Sequence, residues 1–113
     1  MSENTAFLGH ILEAAVKAMR YAADGQAWFF QDSRTQEAIF FLLIVIGEAT
    51  KHLSPELRAQ HPEVPWRRMA GMRDVLVHNY MGIDLDFVWR VTQRDLPTLE
   101  RAVIAILAEQ SSG

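Results

Sequence analysis

Residues 38–47 read AIFFLLIVIG, the longest apolar run in the chain. Two readings compete for it. Its β-branched residues, Ile39, Ile44, Val45 and Ile46, suit a strand. The run, however, sits inside some twenty residues without a breaker, from Asp32 to Leu53. Strands rarely reach that length, so it predicts a helix. The centre of this helix is apolar nearly all round, which puts it in the middle of the fold. A membrane span needs about 20 apolar residues, roughly twice this run. Glu37 and Glu48 flank it closely, so a buried core helix is expected instead. Asp32 or Ser33 can cap its start, and Glu37 adds favourable charge near the first turn.

Working outward, Phe7, Leu8, Ile11, Leu12, Ala15, Val16 and Met19 recur at helical spacing. They predict an amphipathic helix from Asn4 to Ala23, stopped by Asp24-Gly25. On the other side, Ser54-Pro55 opens a short helix that His61-Pro62 closes. Pro65-Trp66 opens another, carrying Met69, Met72, Val75 and Leu76 inward and fading over Asn79 to Gly82. Asp84 caps a last segment that runs to Ala108. Pro97 should kink or break that segment, with Asp95 capping the piece beyond. Ser111-Ser112-Gly113 reads as a frayed end. Short connections set successive helices antiparallel. The expected fold is all-α, an up-and-down bundle of four to five helices. Trp28, Phe29 and Phe30 fall between two helices, where a small bundle cannot easily bury all three, and so suggest an interface.

The chain has 113 residues, half of them apolar and 22% charged, which suits one globular domain over 1–113. Its formal net charge of −3 excludes a strongly basic coat protein for nucleic acid but leaves room for a local basic patch. There are no cysteines. That excludes a disulfide scaffold, a thiolate zinc site and a cysteine nucleophile. The N-terminus has no basic region leading into an apolar stretch, so no signal peptide is expected. A cytoplasmic location follows as an expectation.

Histidine is the side chain that titrates nearest working pH. His10 and His61 read as surface or capping residues. Glu48 and His52 are four apart on one helix face, a spacing that can give two metal ligands, but no second pair is visible in the sequence. Glu48 also ends the apolar run, so its carboxylate needs a partner, and an arginine from a neighbouring helix would serve. The densest polar cluster is Arg73-Asp74-Val75-Leu76-Val77-His78-Asn79-Tyr80. At 100° per residue, Arg73 and Tyr80 share a face and Asp74 lies one turn before His78. Asp74 can then hold one nitrogen of the His78 ring. Read alone, the octet fits either an active site or an ordinary helix end in which Arg73 pairs with Glu48.

The spacing R-x-x-x-x-H-x-Y, here Arg73, His78 and Tyr80, resembles the signature of HepT-like ribonuclease toxins of the HEPN superfamily. Further steps resemble the family in order: Gly47-Glu48-Ala49, Pro65-Trp66, Gly71-Met72-Arg73, Asp84 to Trp89, and Asp95 to Leu99. The likeness covers Asp32 to Leu107, roughly two-thirds of the chain.

The resemblance implies a helical homodimer with the two motifs facing each other, and RNA cleavage that needs no metal or other cofactor. His78 would take the proton from the 2′-hydroxyl of RNA. Arg73 would bind the phosphate and stabilise the charge that builds at phosphorus. Asp74 and Glu48 would support them. The products would be a 2′,3′-cyclic phosphate and a 5′-hydroxyl. The resemblance also implies a nucleotidyltransferase antitoxin of the MntA type, joined in a larger assembly, that attaches AMP to Tyr80 and so puts negative charge beside Arg73. Between Arg58 and Arg101 there are seven arginines against six acidic residues, which permits RNA binding without demanding it. Two other readings compete: a dimer that binds the nucleotidyltransferase and catalyses nothing, and a carrier bundle built on Glu48 and His52.

Overall fold

The computed structural model describes residues 3–112, except the side chains of Tyr80 and Ser112. Four helices of 13 residues or more form the frame: α1 (Glu3–Ala22), α3 (Ser33–Lys51), α5 (Trp66–His78) and α7 (Leu96–Ser112). Three helices of six residues join them: α2 (Gln26–Gln31), α4 (Pro55–Gln60) and α6 (Leu85–Arg90). There is no strand among the described residues. The apolar run is therefore helical, as its length requires.

α3 packs against α1 on one side and α5 on the other, and α7 completes the frame against α1. Ile39, Leu43 and Ile46 of α3 are fully buried and meet Leu8, Ile11, Met69, Leu96 and Leu99 in one core. No helix of the described residues is long and apolar enough to cross a membrane.

The caps explain where the helices begin. Asp32 accepts hydrogen bonds from the Thr35 backbone N–H and hydroxyl, at 3.0 and 2.6 Å. These bonds hold its carboxyl below the usual range, the hydroxyl bond having the larger effect. Ser54 caps α4 by accepting from the Leu57 N–H. Its own N–H donates to Asn4, whose amide donates back to the Ser54 hydroxyl, so the starts of α1 and α4 are tied together. Asp84 caps α6 through the Phe87 N–H. Gly25 has φ +107°, a backbone conformation that side chains disfavour, and it turns the chain from α1 into α2.

The helical frame departs from the sequence-based expectation at several points, and α7 continues to Ser112 where a frayed end is expected. First, residues 26–31 form a helical turn, not an open link. One turn separates neighbouring side chains by about 100°. Trp28, Phe29 and Phe30 therefore point apart. Phe29 is fully buried and packs on Phe30 and Trp89, whereas Trp28 is half-exposed and donates from its ring N–H to the Thr35 hydroxyl. Phe29 is core, so these three do not form one surface cluster. Second, Val75 is 44% exposed. α5 buries Trp66, Met69, Met72 and Leu76, a narrow stripe that leaves Val75 beyond its edge. Third, Pro97 does not break the last helix. The turn ahead of it widens into a π-helical stretch, Val91–Asp95, and Pro97 becomes the second residue of α7. Fourth, Asp95 caps nothing: its carboxylate takes Arg68 at 2.7 Å.

Candidate active site

The site begins where α3 touches α5. A Cβ on Gly47 would lie 3.0 Å from the Arg73 backbone nitrogen, 3.1 Å from the Met69 carbonyl oxygen and 3.3 Å from the Arg73 Cβ. Those obstacles are mostly backbone and cannot swing aside. The absent side chain lets the two helices meet and sets the depth at which Arg73 leaves α5. Gly47→Ala should therefore push α5 outward and cost about 1–3 kcal/mol, despite alanine's better helix propensity. Urea unfolding measures this, and an unchanged or higher midpoint would show that the contact places no limit on α5.

Glu48 follows directly. Its Oε1 lies 3.2 Å from Arg73 Nε, the pair that the ordinary helix-end reading expects, with the arginine coming from α5. Arg73 also reaches Asp74 Oδ1 at 3.3 Å. Lys51 stands 3.8 Å from Glu48 and 3.5 Å from Asp74. Two cations and two carboxylates thus alternate across the α3–α5 seam. All four side chains are substantially exposed, so water and salt weaken these pairs and they add little to stability. They do orient the guanidinium. The Arg73 hydrogen bond, with the Lys51 charge second, holds the Asp74 carboxyl below the usual carboxylate range.

That arrangement differs from the expected Asp74–His78 pair. Asp74 turns to Arg73 and Lys51, two cations that attract a carboxylate more strongly than a neutral ring does. Among the described residues, His78 has no side-chain hydrogen bond or ion pair. It is the last residue of α5 and is exposed. Asn79 makes the last helical bond, its N–H donating to the Val75 carbonyl, its side-chain amide donates to the same oxygen, and its backbone (φ −112°, ψ 20°) leaves the helix there. His78 is thereby left at the helix tip with its ring open to solvent.

Arg73 and His78 are not brought together within one chain. Five residues of α-helix turn them about 140° apart, and Arg73 is drawn toward α3. Tyr80 opens a 3-10 turn, Tyr80–Gly82. Its side chain, and so its expected shared face with Arg73, lies outside the described residues.

The other histidines have separate surroundings. His52 stacks on Phe7, ring centroids 4.6 Å apart, and His10 meets the same ring edge-on. Glu48 and His52 thus engage different partners and do not converge. His61 Nδ1 lies 3.6 Å from Glu63, and its carbonyl accepts from the Trp66 ring N–H. Among the described residues, no three His, Asp or Glu side chains gather as a metal site.

The Ribonuclease HepT-like family matches residues 11–106, a stretch that holds every residue of this seam and the helix tip. The chain belongs to this family. It is 43% identical over 72 residues to the probable ribonuclease HepT of Thermococcus cleftensis, covering 64% of this chain and 66% of that protein. A Methanocaldococcus jannaschii protein whose name couples a gamma-glutamylcyclotransferase with an RNase is 36% identical over 104 residues, covering 91% of this chain and 47% of the relative. A second protein of that organism, also carrying an RNase name, is 33% identical over 99 residues, covering 87% of this chain and 91% of its own length. The chain therefore spans between about half and two-thirds of the first two relatives and most of the third. No solved structure matches it.

Within this HepT-like chain, sequence reasoning missed Lys51 as a partner of Asp74. Its only sequence signal is the i,i+3 spacing from Glu48. The role of Gly47 as the contact point with Arg73 was equally silent, since a glycine inside a helix reads only as a mild weakness.

Proposed function

We propose that this chain is an endoribonuclease that cleaves RNA by attack of its own 2′-hydroxyl and needs no metal ion. The observation that carries this reading is the paired exposure at α5: an oriented, solvent-reachable guanidinium on Arg73 and an unengaged imidazole at the tip, His78. Membership of a ribonuclease family supports it.

The chemistry needs little more. Neutral His78 accepts the 2′-hydroxyl proton. The 2′-oxygen bonds to phosphorus, and the bond from phosphorus to the 5′-oxygen breaks. The departing oxygen takes a proton, leaving a 2′,3′-cyclic phosphate and a 5′-hydroxyl. Arg73 exchanges its carboxylate partners for the phosphate, whose charge grows as phosphorus becomes five-coordinate. Because Arg73 and His78 diverge within one chain, the reading is of a homodimer in which facing motifs build one pocket, the second His78 supplying the proton for the leaving group. Until substrate arrives, Glu48 and Asp74 hold Arg73 in place.

The same reading makes the protein a cytoplasmic toxin silenced by a nucleotidyltransferase antitoxin of the MntA type. That partner would transfer AMP from ATP to the Tyr80 hydroxyl, releasing pyrophosphate. A phosphodiester two residues beyond His78 would compete with substrate for Arg73.

An RNA oligomer with a single 2′-deoxy nucleotide at the cleavage position tests the nucleophile. Cleavage at that step should vanish while other sites are still cut. Cutting at the deoxy position would exclude attack by the 2′-oxygen. If RNA is neither cut nor altered at all, the chain is instead a non-catalytic dimer that holds its nucleotidyltransferase partner.

A further inference from the structure

A second charged feature lies beside α6, apart from the seam of Glu48, Lys51, Arg73 and Asp74. A surface hollow of about 320 Å3 is lined by Arg68, Phe87, Arg90, Val91, Arg94 and Asp95. It holds three guanidinium groups against one carboxylate, in a chain whose formal net charge is −3. Asp95 is committed to Arg68, which it holds across from α5 at 2.7 Å. Arg90 and Arg94 are exposed and, among the described residues, have no carboxylate within ion-pair reach. Four residues apart, they project on one side of the widened turn before Pro97.

Phe87 forms part of this hollow and of a neighbouring one of about 340 Å3, whose wall includes Val75, Asn79, Ile83 and Asp84, the carboxylate that caps α6. Asn79 directly follows His78 in the chain. A continuous surface therefore leads from two unpaired arginines, past an aromatic ring, to the end of α5. Guanidinium groups suit phosphate oxygens, and an aromatic ring offers a stacking surface to any base.

We infer that Arg90 and Arg94, with Arg68 and Phe87, form a groove for the backbone of single-stranded RNA flanking the cleaved bond. This rests on the ribonuclease reading for its purpose, but not for its measurement. In it, phosphates bridge Arg90 and Arg94, Arg68 stays fixed by Asp95, and a base lies against Phe87. The groove accounts for how an acidic chain holds a polyanion: the positive charge is concentrated, not general.

The test uses a fluorescently labelled 2′-O-methyl RNA 12-mer, which cannot be cleaved by its own 2′-oxygen. Binding is followed by anisotropy across a salt series. Arg90→Gln/Arg94→Gln should weaken binding roughly tenfold at moderate salt and flatten the slope of log affinity against log salt by about 1.4, the loss expected for two phosphate contacts. Arg20→Gln/Arg34→Gln removes the same charge from exposed positions elsewhere and should bind like the parent protein. Equal affinity and slope in the Arg90/Arg94 variant would overturn the groove. So would an equal loss in the Arg20/Arg34 variant, which would reduce the effect to net charge, or a parent protein that does not bind the 12-mer. Cleavage of natural RNA by the parent separates the two claims. Binding that depends on Arg90 and Arg94 without cleavage would leave the groove and remove the ribonuclease. Cleavage with unaltered binding in the variant would do the reverse.

Discussion

Arg73→Ala should lower RNA cleavage by about 10²–10³-fold, the loss typical when one preorganised donor to a developing oxyanion is removed. Stability should change by less than about 1 kcal/mol, because the pairs Arg73 makes are exposed. The combination is the point of the experiment. A structural arginine would lower activity by loosening the fold, and both measurements would move together. Here Arg73 leaves α5 at a backbone contact fixed by Gly47, and Glu48 and Asp74 orient it without burying it. Single-turnover rates and urea unfolding on the same preparation separate the two. Wild-type cleavage rates in the variant would remove Arg73 from the chemistry.

His78→Ala should cost about 10²–10⁴-fold in rate, the usual range for a positioned general base. Its fold should be unaffected, since the His78 side chain is exposed and bonded to none of the described residues. If facing protomers share one pocket, mixing His78→Ala with Arg73→Ala protein should restore part of the activity. In the mixed dimer the shared pocket keeps one intact arginine and one intact histidine but lacks the second imidazole for the leaving oxygen, so the restoration stays partial. Mixtures as inactive as either parent, after subunit exchange is verified, would mean that each chain works alone, that both imidazoles are indispensable, or that neither residue acts as described. Retention of full activity by His78→Ala alone would dismiss it as the base.

The parts legible in the sequence were those governed by local chemistry. The length of α3 decided helix over strand. Ser54-Pro55, Asp32 and Asp84 announced helix starts because their side-chain oxygens satisfy free amides within a few residues. Glu48 was given an arginine on the premise that its carboxylate would be buried; the arginine is there, but the carboxylate is half-exposed, so the premise was not the reason. What escaped was long-range. A helical wheel relates Asp74 to His78 because it knows only one helix, whereas Asp74 turns to its chain neighbour Arg73 and to Lys51, which arrives from α3. The π-helical turn before Pro97 was hidden for a related reason. A proline announces only that one backbone donor is missing, not that the preceding turn will widen to accommodate it. Trp28, Phe29 and Phe30 looked equivalent as a string, and one helical turn made one of them core and another surface.

The central claim is that His78 starts a metal-free cleavage by the 2′-oxygen of RNA. The most direct measurement is the chemistry of the product ends, using end-labelled RNA in excess chelator with wild-type and His78→Ala protein side by side. The account predicts 2′,3′-cyclic phosphate and 5′-hydroxyl ends from the wild type, and their loss in the variant. Products bearing 5′-phosphate ends, cleavage abolished by the chelator, or cyclic-phosphate ends formed equally by His78→Ala would contradict it.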